Sequence, residues 1–215
     1  MTLHLDVPEL HGSLVRLERL AVRHADELAE AAAQERSAFS LTWVPDGKAE
    51  AREYVRTQLR RAEAGEMIPF AQVSISGGRA VGSTSYFEFR SLPGRSGPFA
   101  VEIGFTWLAA PAQRSGINIE AKLLLLSHAF EQLGVARVQF KTDARNQRSR
   151  RALEGLGARF EGVLRSFSQS WAPGEDGLRD SAMYSVTAAE WPSCQEHLRQ
   201  RLRRPPAGGR YSAGS

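Results

Sequence analysis

Hydrophobic and polar positions alternate over residues 13–20, where Val15 and Leu17 are interleaved with Arg16 and Glu18. A period of two predicts a strand buried on one face. Residues 23–34 are nearly all helix formers, with Asp26 and Glu27 in the first turn, where the helix dipole favours carboxylates. Ala51, Tyr54, Val55, Leu59 and Ala62 recur at three- and four-residue steps and predict a helix over 48–64. The aromatic loop Phe39-Ser40-Leu41-Thr42-Trp43-Val44-Pro45 lies between these helices. Strands are predicted over 68–76 and 80–89, joined by Gly77-Gly78, a pair that accepts the positive backbone angles of a tight hairpin. A further strand over 98–108 follows the turn-rich residues 92–97, and together the three read as an antiparallel meander.

The pattern then changes period. Ile117, Ala121, Leu124, Leu125, Phe130 and Leu133 predict a helix over 117–133 buried on much of its surface and stopped by Gly134. Residues 137–143 alternate again, with Val138 and Phe140 on one face. Strand, helix and strand joined by short links make a crossover that forces the two strands parallel. A short helix over 146–156 closed by Gly157, two strands over 158–170 and 179–187, and a helix over 188–203 complete an α/β chain with a mixed sheet and no internal repeat. One face of the second parallel strand is polar throughout: Arg137, Gln139, Lys141 and Asp143. Such a face meets either solvent or a polar ligand.

The 215 residues suffice for one well-buried core and not comfortably for two. The expected organisation is a single domain over 1–190, followed by the end of a helix and a basic tail over 191–215. With 42% hydrophobic and 24% charged residues, the composition is that of a globular protein. No stretch approaches the roughly 18 apolar residues of a membrane span. The opening Met-Thr-Leu-His-Leu-Asp lacks the basic patch and apolar run of a signal peptide, so the expected location is cytoplasmic. A single cysteine, Cys194, excludes a disulfide framework and a thiolate metal site, and the five histidines have no metal-ligand spacing. No metal is expected. The net charge of +4 suggests a polyanionic partner such as RNA, but five arginines (Arg199, Arg201, Arg203, Arg204, Arg210) crowd the acid-free residues 199–215. The rest of the chain is close to balanced, which argues against a nucleic-acid site on the folded part.

The stretch from Trp107 to Lys122 carries the clearest chemistry. A strand ends, a loop turns and a buried helix starts within a few residues, so main-chain N–H groups converge at the positive end of a helix dipole, a geometry that binds phosphates. Gly116 would let the main chain approach an anion, Arg114 would add a charge, and Ser115 and Asn118 offer side-chain donors. Read alone, the same turn also suits simple helix capping.

Four segments together resemble the GNAT acetyltransferases, in particular the RimJ/RimL-like branch: residues 10–18 (Leu-His-Gly-Ser-Leu-Val-Arg-Leu-Glu), Val101-Glu102-Ile103-Gly104-Phe105, Gln113-Arg114-Ser115-Gly116, and Asn146-Gln147-Arg148-Ser149 before Leu156-Gly157. Phe160-Glu161-Gly162-Val163-Leu164-Arg165 resembles the same branch, and the likeness spans roughly residues 10–190. The resemblance implies an α/β fold with a mixed, mostly antiparallel sheet, a central parallel pair splayed around the cofactor, and flanking helices. It implies transfer of an acetyl group from acetyl-coenzyme A to a primary amine, either a protein N-terminal α-amine or a small molecule. The pyrophosphate would lie on Gln113, Arg114, Ser115, Gly116, Ile117, Asn118 and Ile119, and the pantetheine arm along Trp107, Leu108 and Ala109, with Asn146 nearby. The family's loop reads Gln/Arg-x-x-Gly-x-Gly/Ala. Asn118 departs from it, although asparagine tolerates left-handed angles.

Glu102, the sole acid in residues 99–107 and expected to face the same way as Gly104 and Thr106, is the candidate base, because apolar surroundings raise a carboxyl pKa. A second reading makes it a partly solvated glutamate paired with an arginine. A main-chain N–H near Leu108 would hold the oxyanion. Where many family members place a tyrosine to protonate the thiolate, the chain has Leu153, leaving Ser149 as the candidate acid or, alternatively, a serine bonded to its own backbone. Asn146 in turn suits either the pantetheine or a helix cap. Trp43, with Phe39 and Tyr86, is a candidate wall of the acceptor pocket. Two further functions stay open: a noncatalytic acyl-coenzyme A sensor or scaffold, and a basic RNA- or ribosome-binding module. The resemblance also implies that the late hairpin could serve a homodimer, since relatives often dimerise through it.

Overall fold

The computed structural model describes residues 5–203. One eight-stranded sheet runs through it: β1 (Leu10–His11), β2 (Val15–Arg19), β3 (Met67–Ser74), β4 (Ala80–Ser91), β5 (Pro98–Leu108), β6 (Arg137–Asp143), β7 (Arg159–Gln169) and β8 (Leu178–Thr187), in the order β1-β2-β3-β4-β5-β6-β8-β7. Every neighbouring pair is antiparallel except β5 and β6. The helices are α1 (Ala25–Ala33), α2 (Gly47–Glu63), α3 (Ile117–Ser127), α4 (Gln147–Gly155) and α5 (Trp191–Arg203). This is the mixed, mostly antiparallel sheet expected, with its one parallel pair in the middle.

The parallel pairing is short. Ala100, Val101 and Glu102 face Arg137, Val138 and Gln139, and beyond them β5 runs on to Leu108 and β6 to Asp143 without a shared ladder. The strands part there because β5 bulges: the register against β4 slips between Ser83 and Ser85, and Phe105 sits at φ 50°. A bulge bends its strand and redirects the side chains after it.

That redirection overturns one expectation. Glu102 pairs with Phe87 and Gly104 with Ser85, so these share a face, whereas the Thr106 side chain turns to the other, meeting Thr84 and Lys122 of α3. Tyr86 also points to the α3 side and is fully buried, its hydroxyl donating to the Leu125 carbonyl. It belongs to the core rather than to a substrate wall.

Element ends differ in local ways. Helical structure does extend from Ile117 towards Gly134, but after Ser127 it loosens into π-type turns over His128–Gln132, with the Leu133 amide donating to the His128 carbonyl at 3.0 Å. The last helix starts at Trp191 rather than 188, because Glu190 accepts both the amide and the hydroxyl of Thr187 and holds the preceding residues in a turn. The strand β1 has too little pattern in two residues to be read from sequence. One contiguous core takes in residues from Val7 to Leu198, including Trp191, Cys194 and Leu198 of α5. The basic tail beyond residue 203 lies outside the described residues.

Candidate active site

The gap between β5 and β6 opens into a cleft of about 1080 Å³ that reaches from the α3 N-terminus to the aromatic loop before α2. Its floor is the bulged part of β5, its ends are Asn118 and Trp43, and α4 contributes Ser149 and Leu153.

The bend before α3 has the form of an anion nest. Arg114 (φ 62°) and Gly116 (φ 91°) are both left-handed, which turns successive amides the same way. Among the described residues the N–H groups of Arg114, Ser115, Gly116, Asn118 and Ile119 find no protein acceptor, and the Ile117 amide has only a long contact of 3.4 Å to the Ser115 hydroxyl. Helix starts leave such donors for side-chain caps or ligands, and no side chain caps α3. The Arg114 side chain is exposed beside them.

Two residues of the bend serve the protein itself. The Ser115 hydroxyl donates to the Ala112 carbonyl at 2.6 Å, and the Gln113 side chain donates to the Leu108 carbonyl at 2.9 Å while accepting from Arg148 at 3.2 Å. Gly116 is needed for its backbone angle; a Cβ there would point at the end of the exposed Leu14 side chain, 2.8 Å away, which is free to give. Asn146 uses its side-chain oxygen to cap α4, accepting the Ser149 amide at 3.0 Å.

Glu102 is 1% exposed. Its carboxylate accepts from the Gln139 side chain at 2.8 Å and lies 3.3 Å from Lys141 Nζ. Burial raises its pKa above the ordinary carboxylate value, and Lys141 and Gln139 pull it part of the way back. Its partner is thus a lysine rather than an arginine, and the carboxylate is buried rather than half-solvated. The polar face of β6 is explained by the same contacts: Gln139 and Lys141 serve Glu102, Arg137 pairs with Glu161, and Asp143 binds Arg145. Of these four, Lys141 lines the cleft.

The end of the cleft at the loop before α2 is aromatic. Trp43 is part-exposed and packs on Tyr54 with ring centroids 5.8 Å apart, Phe39 meets Trp107 edge-on at 6.2 Å, and Phe105 meets Trp171 at 6.4 Å. The cleft therefore gathers Glu102, Ser149, Asn118, Asn146 and Trp43 from separate elements. Sequence reasoning missed Lys141 and Gln139 as partners of Glu102, and Lys122, a charge set between Ala121 and the run Leu123–Leu126 that should have marked it. Among the described residues no group of acidic, histidine and cysteine side chains is arranged to hold a metal, and no helix is long and apolar enough to cross a membrane.

Residues 15–159 match the acetyltransferase (GNAT) domain family, and the chain belongs to that family. Acetyl-coenzyme A is the acyl donor of such domains, and the unpaired amides of the α3 bend together with the splayed strands fit it. Among solved structures, the chain is similar to a GCN5-related N-acetyltransferase from Brucella melitensis, at 26% identity and a TM-score of 0.78 over 92% of this chain and 86% of that one. It is also similar to a candidate acetyltransferase from T. thermophilus, at 34% identity and a TM-score of 0.76 over 93% and 99%. Mycobacterium smegmatis RimJ in complex with CoA-disulfide shares the fold at 22% identity, with a TM-score of 0.71 over 88% and 90%. No curated protein matches the chain.

Proposed function

We propose that the chain moves an acetyl group from acetyl-coenzyme A to a primary amine, a protein N-terminal α-amine or a small-molecule amine, by direct attack on the thioester, in the manner of the RimJ/RimL-like branch. The observation that carries this reading is the bend from Arg114 to Ile119, where the amides of Arg114, Ser115, Gly116, Asn118 and Ile119 meet no acceptor among the described residues, and where Arg114 and Asn118 line the same cleft as the buried carboxylate of Glu102. When bound, the cosubstrate supplies an acetyl group on a thiolate leaving group. The amides of Arg114, Ser115, Gly116, Asn118 and Ile119, with the Arg114 guanidinium, would grip its diphosphate, and the stretch Trp107–Ala109 would flank its arm.

Glu102 takes the proton of the attacking amine, directly or through a water. Its raised pKa suits proton uptake, and an α-amine, which ionises near pH 8, needs little help. A main-chain N–H near Leu108 faces the thioester oxygen. Leu153 stands where it cannot donate a proton, and Ser149, half-buried on the cleft wall, is the hydroxyl available to the leaving sulfur. Trp43 and its aromatic neighbours bound the acceptor. We assign the enzyme to the cytoplasm, which suits its single buried thiol, Cys194, whose pKa burial raises to about 11.

Incubation with acetyl-coenzyme A and a panel of peptides and amines tests the reading. Thiol release that depends on an amine is expected. Tight binding of coenzyme A with no thiol release from any amine would instead favour an acyl-coenzyme A sensor.

A further inference from the structure

Lys122 sits on α3, four residues past Asn118 and on the same helix face, and both side chains line the cleft. It is only 3% exposed. Its Nζ lies 2.8 Å from the Thr106 hydroxyl and 3.2 Å from that of Thr84, and these two hydroxyls are 2.8 Å apart. The groups facing the amine from β4 and β5 are therefore neutral, and among the described residues no carboxylate pairs with it. A lysine kept for structure alone is normally met by an acid or reaches out to water. Here a cation is buried against the bulge of β5, on the opposite side of the strand from Glu102, without a counter-charge.

On the reading of the cleft just proposed, we infer that Lys122 supplies the counter-charge to the coenzyme A sulfur when the thioester is broken. Glu102 lies on one side of the bulge and Lys122 on the other, and both line the cleft that the thioester and amine would enter. As the amine nitrogen bonds to the acetyl carbon, it gives its proton to Glu102. The carbon–sulfur bond breaks and its electron pair leaves with the sulfur. The ammonium of Lys122, held by Thr106 and Thr84, faces that thiolate, passes it a proton, and regains one from solvent while Glu102 releases its own. That same burial brings the Lys122 pKa down to about 7, so the amine can both hold and give up a proton near neutrality. The absence of a tyrosine at Leu153 leaves this task otherwise to a serine, a far weaker acid.

The test is the ionisation of the thiol of coenzyme A itself, bound to the full chain and followed by thiolate ultraviolet absorbance across pH. The bound thiol is expected to ionise about one pH unit or more below the free thiol, a tenfold or larger shift. In Lys122→Met the shift should disappear, and in Lys122→Arg part of it should remain. With acetyl-coenzyme A and an active amine, kcat of Lys122→Met should fall about tenfold or more while KM for acetyl-coenzyme A changes less than about threefold. Ordinary ionisation of the thiol in the wild-type complex would overturn the inference without reference to any variant. Failure of coenzyme A to bind at all would overturn the reading of the cleft, and this inference with it.

Discussion

The Cβ that Gly12 lacks would stand 2.3 Å from the Oε2 atom of Glu120. That carboxylate, in the first turn of α3, accepts the amides of Ser13, Leu14 and Val15 at 2.8, 2.6 and 2.8 Å. The turn between β1 and β2 is thus tied to the helix whose start forms the anion nest, and Leu14 in turn packs against Gly116. Hydrogen bonds to a charged acceptor contribute about 1.5–3 kcal/mol each, and buried donors left unpaired cost more. Gly12→Ala and Glu120→Gln are each expected to lose about 2–4 kcal/mol of stability, read as a lower denaturant midpoint with an unchanged slope. Both should also weaken coenzyme A binding at temperatures where the variants remain folded. Midpoints equal to wild type would show that the clamp contributes nothing.

As the proposed base, Glu102 would act only when ionised, and its pKa lies above the ordinary 4.5. Activity should therefore fall as pH drops through that raised value, giving an acid limb in kcat/KM at higher pH than a surface carboxylate would give. Glu102→Gln should remove the limb and lower kcat by about 10²-fold. Lys141 holds the carboxyl pKa down, so Lys141→Met should move the limb towards higher pH. A pH–rate profile with the same acid limb in all three proteins would remove Glu102 from the mechanism.

The bend before α3 offers mostly neutral donors, with Arg114 as its added charge. Arg114→Ala is expected to raise Kd for coenzyme A about fivefold at low salt, and the difference should shrink as salt screens the exposed guanidinium. Asn118→Gly, which restores the family's usual residue, should bind at least as well as wild type. Calorimetric titration across salt concentrations measures both. A salt-independent difference for Arg114→Ala would mean that the side chain supports the loop rather than the ligand.

How far these features can be read from sequence depends on the range of the forces behind them. The strands and helices were legible because alternation and helical spacing are local, and the parallel pair followed because a helical crossover permits little else. The bend before α3 was legible because strand end, glycine and buried helix are contiguous. What joins distant segments was not: Glu120 reaches residues more than a hundred positions away, and Glu102 meets Gln139 and Lys141 only once β5 and β6 lie side by side. The bulge at Phe105 was hidden for another reason. It shifts the alternation by one residue, so a pattern continued from Glu102 sends Thr106 to the wrong face.

The outermost strand, β7, exposes Phe160, Val163, Leu164 and Phe167 along an edge without a neighbour among the described residues, with Leu178 of β8 exposed beside it. Long apolar edges invite pairing with another chain. We expect a second copy to cover this edge. Sedimentation should give a dimer, and Val163→Asp with Leu164→Asp should give a folded monomer. A wild-type monomer at assay concentration would exclude this arrangement.

Lys122 leaves a signature in stability as well as in catalysis. Unfolded, its amine titrates near its ordinary 10.5, and folded near 7. Between those values the unfolded chain binds more protons, so wild-type stability gains from this residue as pH rises, by at most about 1.4 kcal/mol per pH unit. Below the folded value the cost of burying a charged amine is present in full. Lys122→Met lacks that cost, so its stability relative to wild type should be highest at about pH 6 and decline steadily from about pH 7 to pH 10. The new methyl contacts add only an offset that does not vary with pH, which makes the slope rather than the sign the informative quantity. Denaturant melts of both proteins across this range measure it. A difference that stays flat from pH 6 to 10 would mean that the amine remains protonated throughout, paired with a charge absent from its surroundings in the fold.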